Sequence, residues 1–151
     1  MSYNDFMLDL IEAKKGEKIV YNFLEEKGLT YLHSNDDYKY DFEMLKDGEK
    51  VKYEVKTDGT QWLNHFVEFQ SSSDYGKTYT DSGIRTSESD WYAFYYSAMG
   101  EIWFIRTKNL KILVENNVFE IKYQSKIASS PAKGYKIVRK DYKQHFNVQK
   151  L

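Results

Sequence analysis

The chain has 151 residues, of which 41% are hydrophobic and 30% are charged, and this composition predicts a single globular domain over residues 1–151. No apolar run reaches the ~18 residues that a transmembrane helix needs, and the N-terminus lacks the pattern of a signal peptide. We therefore expect no membrane association and a cytoplasmic location. Because the chain contains no cysteine, disulfide bonds and thiolate metal sites are excluded.

The formal net charge of −1 conceals an asymmetry along the chain. Residues 1–60 carry 9 lysines and arginines against 14 acidic residues, whereas residues 120–151 carry 8 against 2. A basic segment on a protein that is nearly neutral overall favours a polyanionic partner. The alternative is that this segment is only a solubilising tail.

The first predicted element is helical and covers residues 3–27, with Gly28 placed where a glycine ends a helix. We expect Gly16 to divide it into two helices. In the second of these, Val20 and Leu24 lie on one face, and Glu17 falls in the same row. An acid on an inward stripe indicates a function, unless it is simply favoured by the helix dipole near an N-terminus.

A short strand at residues 29–33 precedes a predicted β-hairpin over residues 38–58, in which Asp47-Gly48 is a favoured type I′ turn. In that register Asp41 falls opposite Glu54, and Lys56 shares their face. Opposed carboxylates repel each other, so the pattern favours a bound cation that prefers hard oxygen ligands, with Mg²⁺ as the leading candidate. The alternative is a solvated polar face neutralised by nearby lysines.

This hairpin resembles the D…(D/E)xK signature of the PD-(D/E)XK nuclease superfamily. Asp41, a 12-residue spacer and Glu54-Val55-Lys56 supply the pattern, with Tyr40 standing where a proline is usually written. The preceding run KKGEKIVYNFLEEKGLTYL resembles the first helix of Holliday-junction-resolvase-like and restriction-type members. In those members a glutamate on this helix reaches the metal site, and the matching residue here is Glu17.

The resemblance implies an α/β fold with a restriction-endonuclease-like core, in which helices flank a mixed central β-sheet. It further implies a Mg²⁺-dependent DNA endonuclease, with Mn²⁺ able to substitute, in a bacterial cell or a phage-infected host. Resolvases and many restriction-type enzymes are dimers, so a homodimer is expected by analogy. The implied catalytic residues are Glu17, Asp41, Glu54 and Lys56, and the implied metal ligands are Glu17, Asp41, Glu54 and the carbonyl of Val55. For such an enzyme, the basic C-terminal third of the chain supplies the expected DNA contacts, which are Lys133, Lys136, Arg139, Lys140 and Lys143.

The rest of the chain predicts further strands and one helix. Residues 64–71 predict a strand, on which Glu68 and Gln70 are secondary site candidates that the sequence does not separate. Residues 71–90 predict a polar connection. A second hairpin is expected over residues 91–97 and 101–107, then a helix over 108–115 and late strands over 118–123 and 135–138.

Two other interpretations remain open from the residues alone. The first is a catalytically inactive nucleic-acid-binding or interaction domain that retains the nuclease fold. The second is a metal-independent structural protein with a solvated acidic face. Other enzyme classes lack their motifs, since the chain has no GxSxG, P-loop, GxGxxG or HExxH sequence.

Overall fold

The structure is a computed structural model that describes residues 3–59, 63–125 and 130–151. The described residues form the α-helices α1 (Tyr3–Glu26) and α2 (Thr107–Asn116). The β-strands are, in chain order, β1 (Thr30–Ser34), β2 (Phe42–Lys46), β3 (Glu49–Asp58), β4 (Asn64–Ser71), β5 (Thr80–Asp81), β6 (Trp91–Tyr96), β7 (Glu101–Arg106), β8 (Glu120–Ser125), β9 (Pro131–Val138) and β10 (Asn147–Lys150). The fold is mixed α/β, as the sequence predicts.

The central sheet contains, within the described ranges, the strands β1-β2-β3-β6-β7-β10 in that order. It is a mixed sheet, because β3 and β6 run parallel while β2–β3 and β6–β7 are antiparallel. The predicted type I′ turn is confirmed, since Asp47 and Gly48 both have positive φ, 49° and 82°. The predicted register is confirmed as well, because Lys46 pairs with Glu49.

A second sheet was not predicted from the sequence. It contains β5-β4-β9-β8, and β4 pairs along its length with β9. The sequence predicts no strand outside a central sheet, whereas β4 lies in the second sheet. The strand that pairs with β3 on the side away from β2 is the parallel strand β6.

The prediction that Gly16 divides the first helix is also wrong. Helix α1 runs without interruption from Tyr3 to Glu26, and Gly16 lies buried inside it. A Cβ atom at Gly16 would stand 1.8 Å from the Oγ1 atom of Thr57 on β3. The glycine therefore permits a close approach of α1 to β3, which a residue with a Cβ atom allows only if Thr57 or the helix moves.

The two faces of the central sheet bury separate hydrophobic cores. On one face, Val20, Phe23 and Leu24 of α1 pack against Phe42, Met44, Tyr53, Val55 and their neighbours. On the other face, the second sheet and α2 pack against residues that include Tyr92, Phe94 and Tyr96. The expected layer of flanking helices is thus present on one face, whereas strands and α2 share the other.

The basic C-terminal end of the chain forms strand β10 of the central sheet. It pairs with β7 along the edge of the central sheet, although the sequence predicts only a basic tail there. Neither helix in the described part of the chain combines the length and the apolar character needed to cross a lipid bilayer.

Candidate metal and phosphodiester site

Three elements bring the predicted acidic residues together. Glu17 comes from α1, Asp41 directly precedes β2, and Glu54 comes from β3. The carboxyl group of Asp41 interacts with those of both Glu17 and Glu54. We call Glu17, Asp41 and Glu54, together with Lys56, the acidic cluster.

Asp41 is fixed by the backbone of β3. Its Oδ2 atom accepts a hydrogen bond from the backbone N–H of Val55 at 2.7 Å. Its own N–H donates to the carbonyl oxygen of Tyr53 at 2.9 Å. The regular ladder of β2 begins only at Phe42, so the Asp41 side chain supplies the acceptor that a strand backbone would otherwise provide.

Burial raises the pKa of all three carboxyl groups. The pKa of Glu54, which is 9% exposed, rises to about 7 because of burial, with Lys56 opposing the rise and Asp41 adding to it. Burial likewise raises the pKa of Asp41, where the Val55 N–H opposes it, and that of Glu17, where Lys14 opposes it. Without a further cation, Glu54 therefore binds a proton near neutral pH.

Two ammonium groups approach the acidic cluster. The Nζ atom of Lys56 lies 3.1 Å from Oε1 of Glu54, and Nζ of Lys14 lies 3.4 Å from Oε2 of Glu17. Burial alone would lower the pKa of Lys56, but Glu54 and other nearby groups outweigh it and raise the pKa. Lys56 is therefore charged, and its side chain remains 37% exposed.

The acidic cluster has the donor chemistry that Mg²⁺ requires, since carboxylate oxygens are hard ligands. Partial burial and mutual repulsion of its carboxyl groups also favour an added positive charge. In the arrangement described, however, no three His, Cys, Asp or Glu side chains of the described residues are grouped closely enough to hold a metal ion. The residues thus fit Mg²⁺ in type and charge, while Glu54 is already paired with Lys56.

The structure separates the two secondary candidates on β4. Glu68 lies close enough to Lys56 to contribute to its raised pKa. The side-chain amide of Gln70 instead donates a 3.4 Å hydrogen bond to Asp81. Glu68 therefore adjoins the acidic cluster and Gln70 does not.

The five predicted DNA contacts have different environments. Lys140 and Lys143 are exposed. Lys136 is partly exposed and lies 3.4 Å from the carboxylate of Glu120. Lys133 lies over the ring of Tyr79, with its Nζ atom 4.0 Å from the ring centroid.

The prediction that Arg139 is a surface contact is wrong, because Arg139 is only 4% exposed. Its guanidinium carbon lies 4.1 Å from the ring centroid of Tyr96 and 5.6 Å from that of Trp103. The buried ring of His65 hydrogen-bonds to the Tyr96 hydroxyl. We call His65, Tyr96, Trp103 and Arg139 the aromatic cage, and it occupies the side of the central sheet that the second sheet covers.

Sequence reasoning missed two neighbours of the acidic cluster. Tyr92 pairs with Glu54 across β3 and β6, is 1% exposed, and raises the pKa of Lys56. The position of Tyr92 depends on the parallel pairing of β6 with β3, which the local sequence pattern does not indicate. Lys14 had a signal, because it precedes Glu17 by three residues on a helix and therefore shares its face.

Comparisons with protein-family models, with curated proteins and with solved structures each find no match to this chain.

Proposed function

We propose that the chain is a Mg²⁺-dependent deoxyribonuclease with a restriction-endonuclease-like core, most simply an endonuclease of resolvase-like or restriction-like type. The observation that carries the proposal is the convergence of Glu17, Asp41 and Glu54 from three separate elements onto shared interactions. Like charges brought together and partly buried are unfavourable for folding alone. Such an arrangement is typical of a site that binds a cation or transfers protons.

In this proposal Glu17, Asp41, Glu54 and the Val55 carbonyl hold the metal. A bound Mg²⁺ would neutralise charge on a scissile phosphate and lower the pKa of a bound water. The backbone N–H of Val55 keeps the Asp41 carboxylate oriented toward the acidic cluster. Lys56, exposed on one side, supplies a positive charge for a phosphate oxygen or for the attacking water.

Protonation limits the proposed activity at low pH. The pKa of Glu54 is raised to about 7 by burial, so Glu54 binds a proton as pH falls through that value. A protonated carboxyl group is a poor metal ligand. We therefore expect activity to increase with pH between about 6 and 8, with the metal releasing protons as it binds.

The direct test is cutting of supercoiled plasmid and four-way-junction DNA with Mg²⁺, with Mn²⁺ and with a chelator. Cutting is expected only with metal, and Glu54→Gln and Lys56→Ala should each reduce it by a factor on the order of 10²–10³. The matched controls are Glu49→Gln and Lys50→Ala, exposed positions on the same hairpin, which should cut normally. Full activity of Lys56→Ala would remove the role given to that lysine.

A second candidate is a nucleic-acid-binding domain without catalytic activity. The Lys56–Glu54 ion pair and the lack of a three-ligand group among the described residues favour it. Titration calorimetry distinguishes the two functions. A nuclease binds Mg²⁺ or Mn²⁺ with a defined stoichiometry that Glu54→Gln and Asp41→Asn abolish, whereas the inactive domain binds DNA in salt-sensitive fashion without metal.

The proposed partner is DNA, and the expected homodimer and cytoplasmic location stay predictions. Sedimentation of the free chain and of its DNA complex tests the dimer. A single protomer on each DNA molecule would show that the analogy with dimeric members does not extend to this chain.

A further inference from the structure

We propose that the second sheet carries a binding site for single-stranded DNA, formed by Tyr75, Tyr79, Tyr123 and Lys133, which we call the tyrosine–lysine patch. The proposal rests on the proposed function for its choice of DNA as ligand. It adds a place on the molecule, separate from the acidic cluster, that would hold an unpaired strand.

The patch is built around the ammonium group of Lys133. Its Nζ atom lies 4.0 Å from the ring centroid of Tyr79 and 5.7 Å from that of Tyr123. The two rings contact each other edge to face, with centroids 6.4 Å apart. Lys133 and Tyr123 are direct partners in the β8–β9 ladder, so the strand pairing fixes this geometry. The result is a cation held between two aromatic rings.

Two of the three rings of the patch are exposed, and that of Tyr79 is half-buried. Tyr123 is 67% exposed and Tyr75 is 73% exposed, and Ile121, on the same side of β8, is 50% exposed. The side chain of Lys77 is also exposed in the adjoining loop. Aromatic faces and positive charges alternate here over a small area, which is the composition of surfaces that bind single strands.

A hydrogen-bonded loop presents Tyr75. The carboxylate of Asp74 accepts bonds from the Ser72 hydroxyl at 2.6 Å, the Thr78 N–H at 2.9 Å and the Thr78 hydroxyl at 2.6 Å. These donors from within the loop lower the pKa of Asp74 to about 2 and fix the conformation of the loop. Tyr75 itself has a φ of 62°, an uncommon conformation for a tyrosine. The loop therefore holds an exposed ring in a defined position at some cost in free energy.

The loop is attached to the sheet that carries the other rings. The N–H of Ser72 donates to the carbonyl oxygen of Pro131 at 2.9 Å, where β9 begins. A Cβ atom at Gly76 would stand 3.2 Å from the hydroxyl of Tyr79, so the loop backbone lies directly against that side chain. These contacts join the loop, β8 and β9 into one surface.

The chemistry of the patch selects unpaired bases. A duplex keeps the faces of its bases stacked inside the helix, whereas a single strand can place them on tyrosine rings. Lys133 supplies the charge that a neighbouring phosphate needs.

The experiment measures fluorescence anisotropy of a labelled 12-nucleotide oligo(dT) and of a DNA hairpin duplex, both in chelator so that no cutting occurs. We expect Tyr123→Leu and Tyr75→Asn each to weaken oligo(dT) binding about 5- to 100-fold, while duplex binding changes less than about twofold. Asn is chosen at position 75 because it tolerates positive φ. Tyr123→Phe is the matched control, since it keeps the aromatic face and should bind normally.

Three results would overturn the proposal. The first is that Tyr123→Leu binds oligo(dT) as tightly as the unmodified chain does. The second is that Tyr123→Phe loses as much oligo(dT) affinity as Tyr123→Leu. The third is that the unmodified chain does not bind oligo(dT). Plasmid cutting is measured separately. A chain that binds oligo(dT) through the patch but never cuts refutes the proposed function alone, whereas cutting with no effect of Tyr123→Leu on binding refutes the patch alone.

Discussion

The acidic cluster and the aromatic cage both remove ionisable side chains from water, with opposite consequences for their charge. In the acidic cluster, three carboxyl groups lie together, and burial raises the pKa of each. In the aromatic cage, burial and the nearby Arg139 lower the pKa of His65 to about 3. The histidine is therefore neutral, and the guanidinium of Arg139 lies against the electron-rich faces of Tyr96 and Trp103.

The difference separates a candidate functional site from a structural one. The aromatic cage places one buried cation against aromatic faces that stabilise it. The acidic cluster keeps more negative than positive charge and is open on the side of Lys56. Burial of charge alone therefore does not mark a site, whereas repulsion left without full compensation does.

Removing Arg139 tests the structural half of this comparison and should have the largest effect. Arg139→Ala leaves a cavity and loses the contacts with Tyr96 and Trp103, so we expect a loss of about 3–5 kcal/mol in the free energy of unfolding, measured by urea denaturation. The exposed neighbour Lys140 is the control, and Lys140→Ala should change stability by less than about 0.5 kcal/mol. Equal stability of the two variants would contradict a structural role for Arg139.

A substitution of Glu54 tests the acidic cluster, which is the candidate functional site in this comparison. Its folded pKa is raised from 4.5 to about 7, so the folded chain binds the extra proton and loses stability as pH rises through that interval. Glu54→Gln removes this loss and should stabilise the chain at pH 8 by at most ~3 kcal/mol. Lower stability of Glu54→Gln at pH 8 would show that the carboxylate is well compensated there.

The same variant should reveal the opposite pH dependence of the aromatic cage. The pKa of His65 is lowered from 6.5 to about 3, so its contribution to stability is lost as pH falls from 6.5. In the unmodified chain, between pH 4.5 and 6.5, the Glu54 contribution to stability falls as pH rises and the His65 contribution increases. Glu54→Gln removes the Glu54 contribution, so stability should depend more positively on pH across that window than in the unmodified chain, and thermal melts at half-unit steps of pH would detect the change.

The smallest expected effect concerns the approach of α1 to β3. Gly16→Ala gains helix propensity but drives a methyl group into Thr57, so we expect a net loss of about 1–2 kcal/mol. Because Glu17 is the next residue, metal affinity should fall as well. Gly59→Ala is the matched control, since a Cβ atom there would meet Ser97 at an ordinary 3.6 Å.

The features that the sequence predicts correctly are local in the chain. The Asp47-Gly48 turn fixes the register of its own hairpin, and that register places Asp41 near Glu54 with no knowledge of the remaining fold. The spacing of Glu17 in a helical row likewise indicates that it faces inward. Most of the candidate site could therefore be predicted from residues 17–56.

The features that were missed depend on distant partners. Residues 64–71 carry no signal that β9 pairs with them, and the basic segment carries no signal that Arg139 lies against Tyr96 and Trp103. The sequence gives the chemical type of each side chain, but it does not show which distant segment packs over that side chain. The prediction for Gly16 was wrong for the same reason, because the residue that leaves no room for a side chain there, Thr57, lies on β3.

The pairing of β4 with β9 also constrains the order in which the chain can fold. Residues 64–71 leave the ribosome well before residues 131–138 are made, so β4 must wait for its partner. The helix and the first hairpin share a core that β6 and β7 complete, and all of these elements are made before β9. A chain from which only residues up to Asn116 have emerged therefore holds every element that positions Glu17, Asp41 and Glu54, yet β4 still lacks its partner β9.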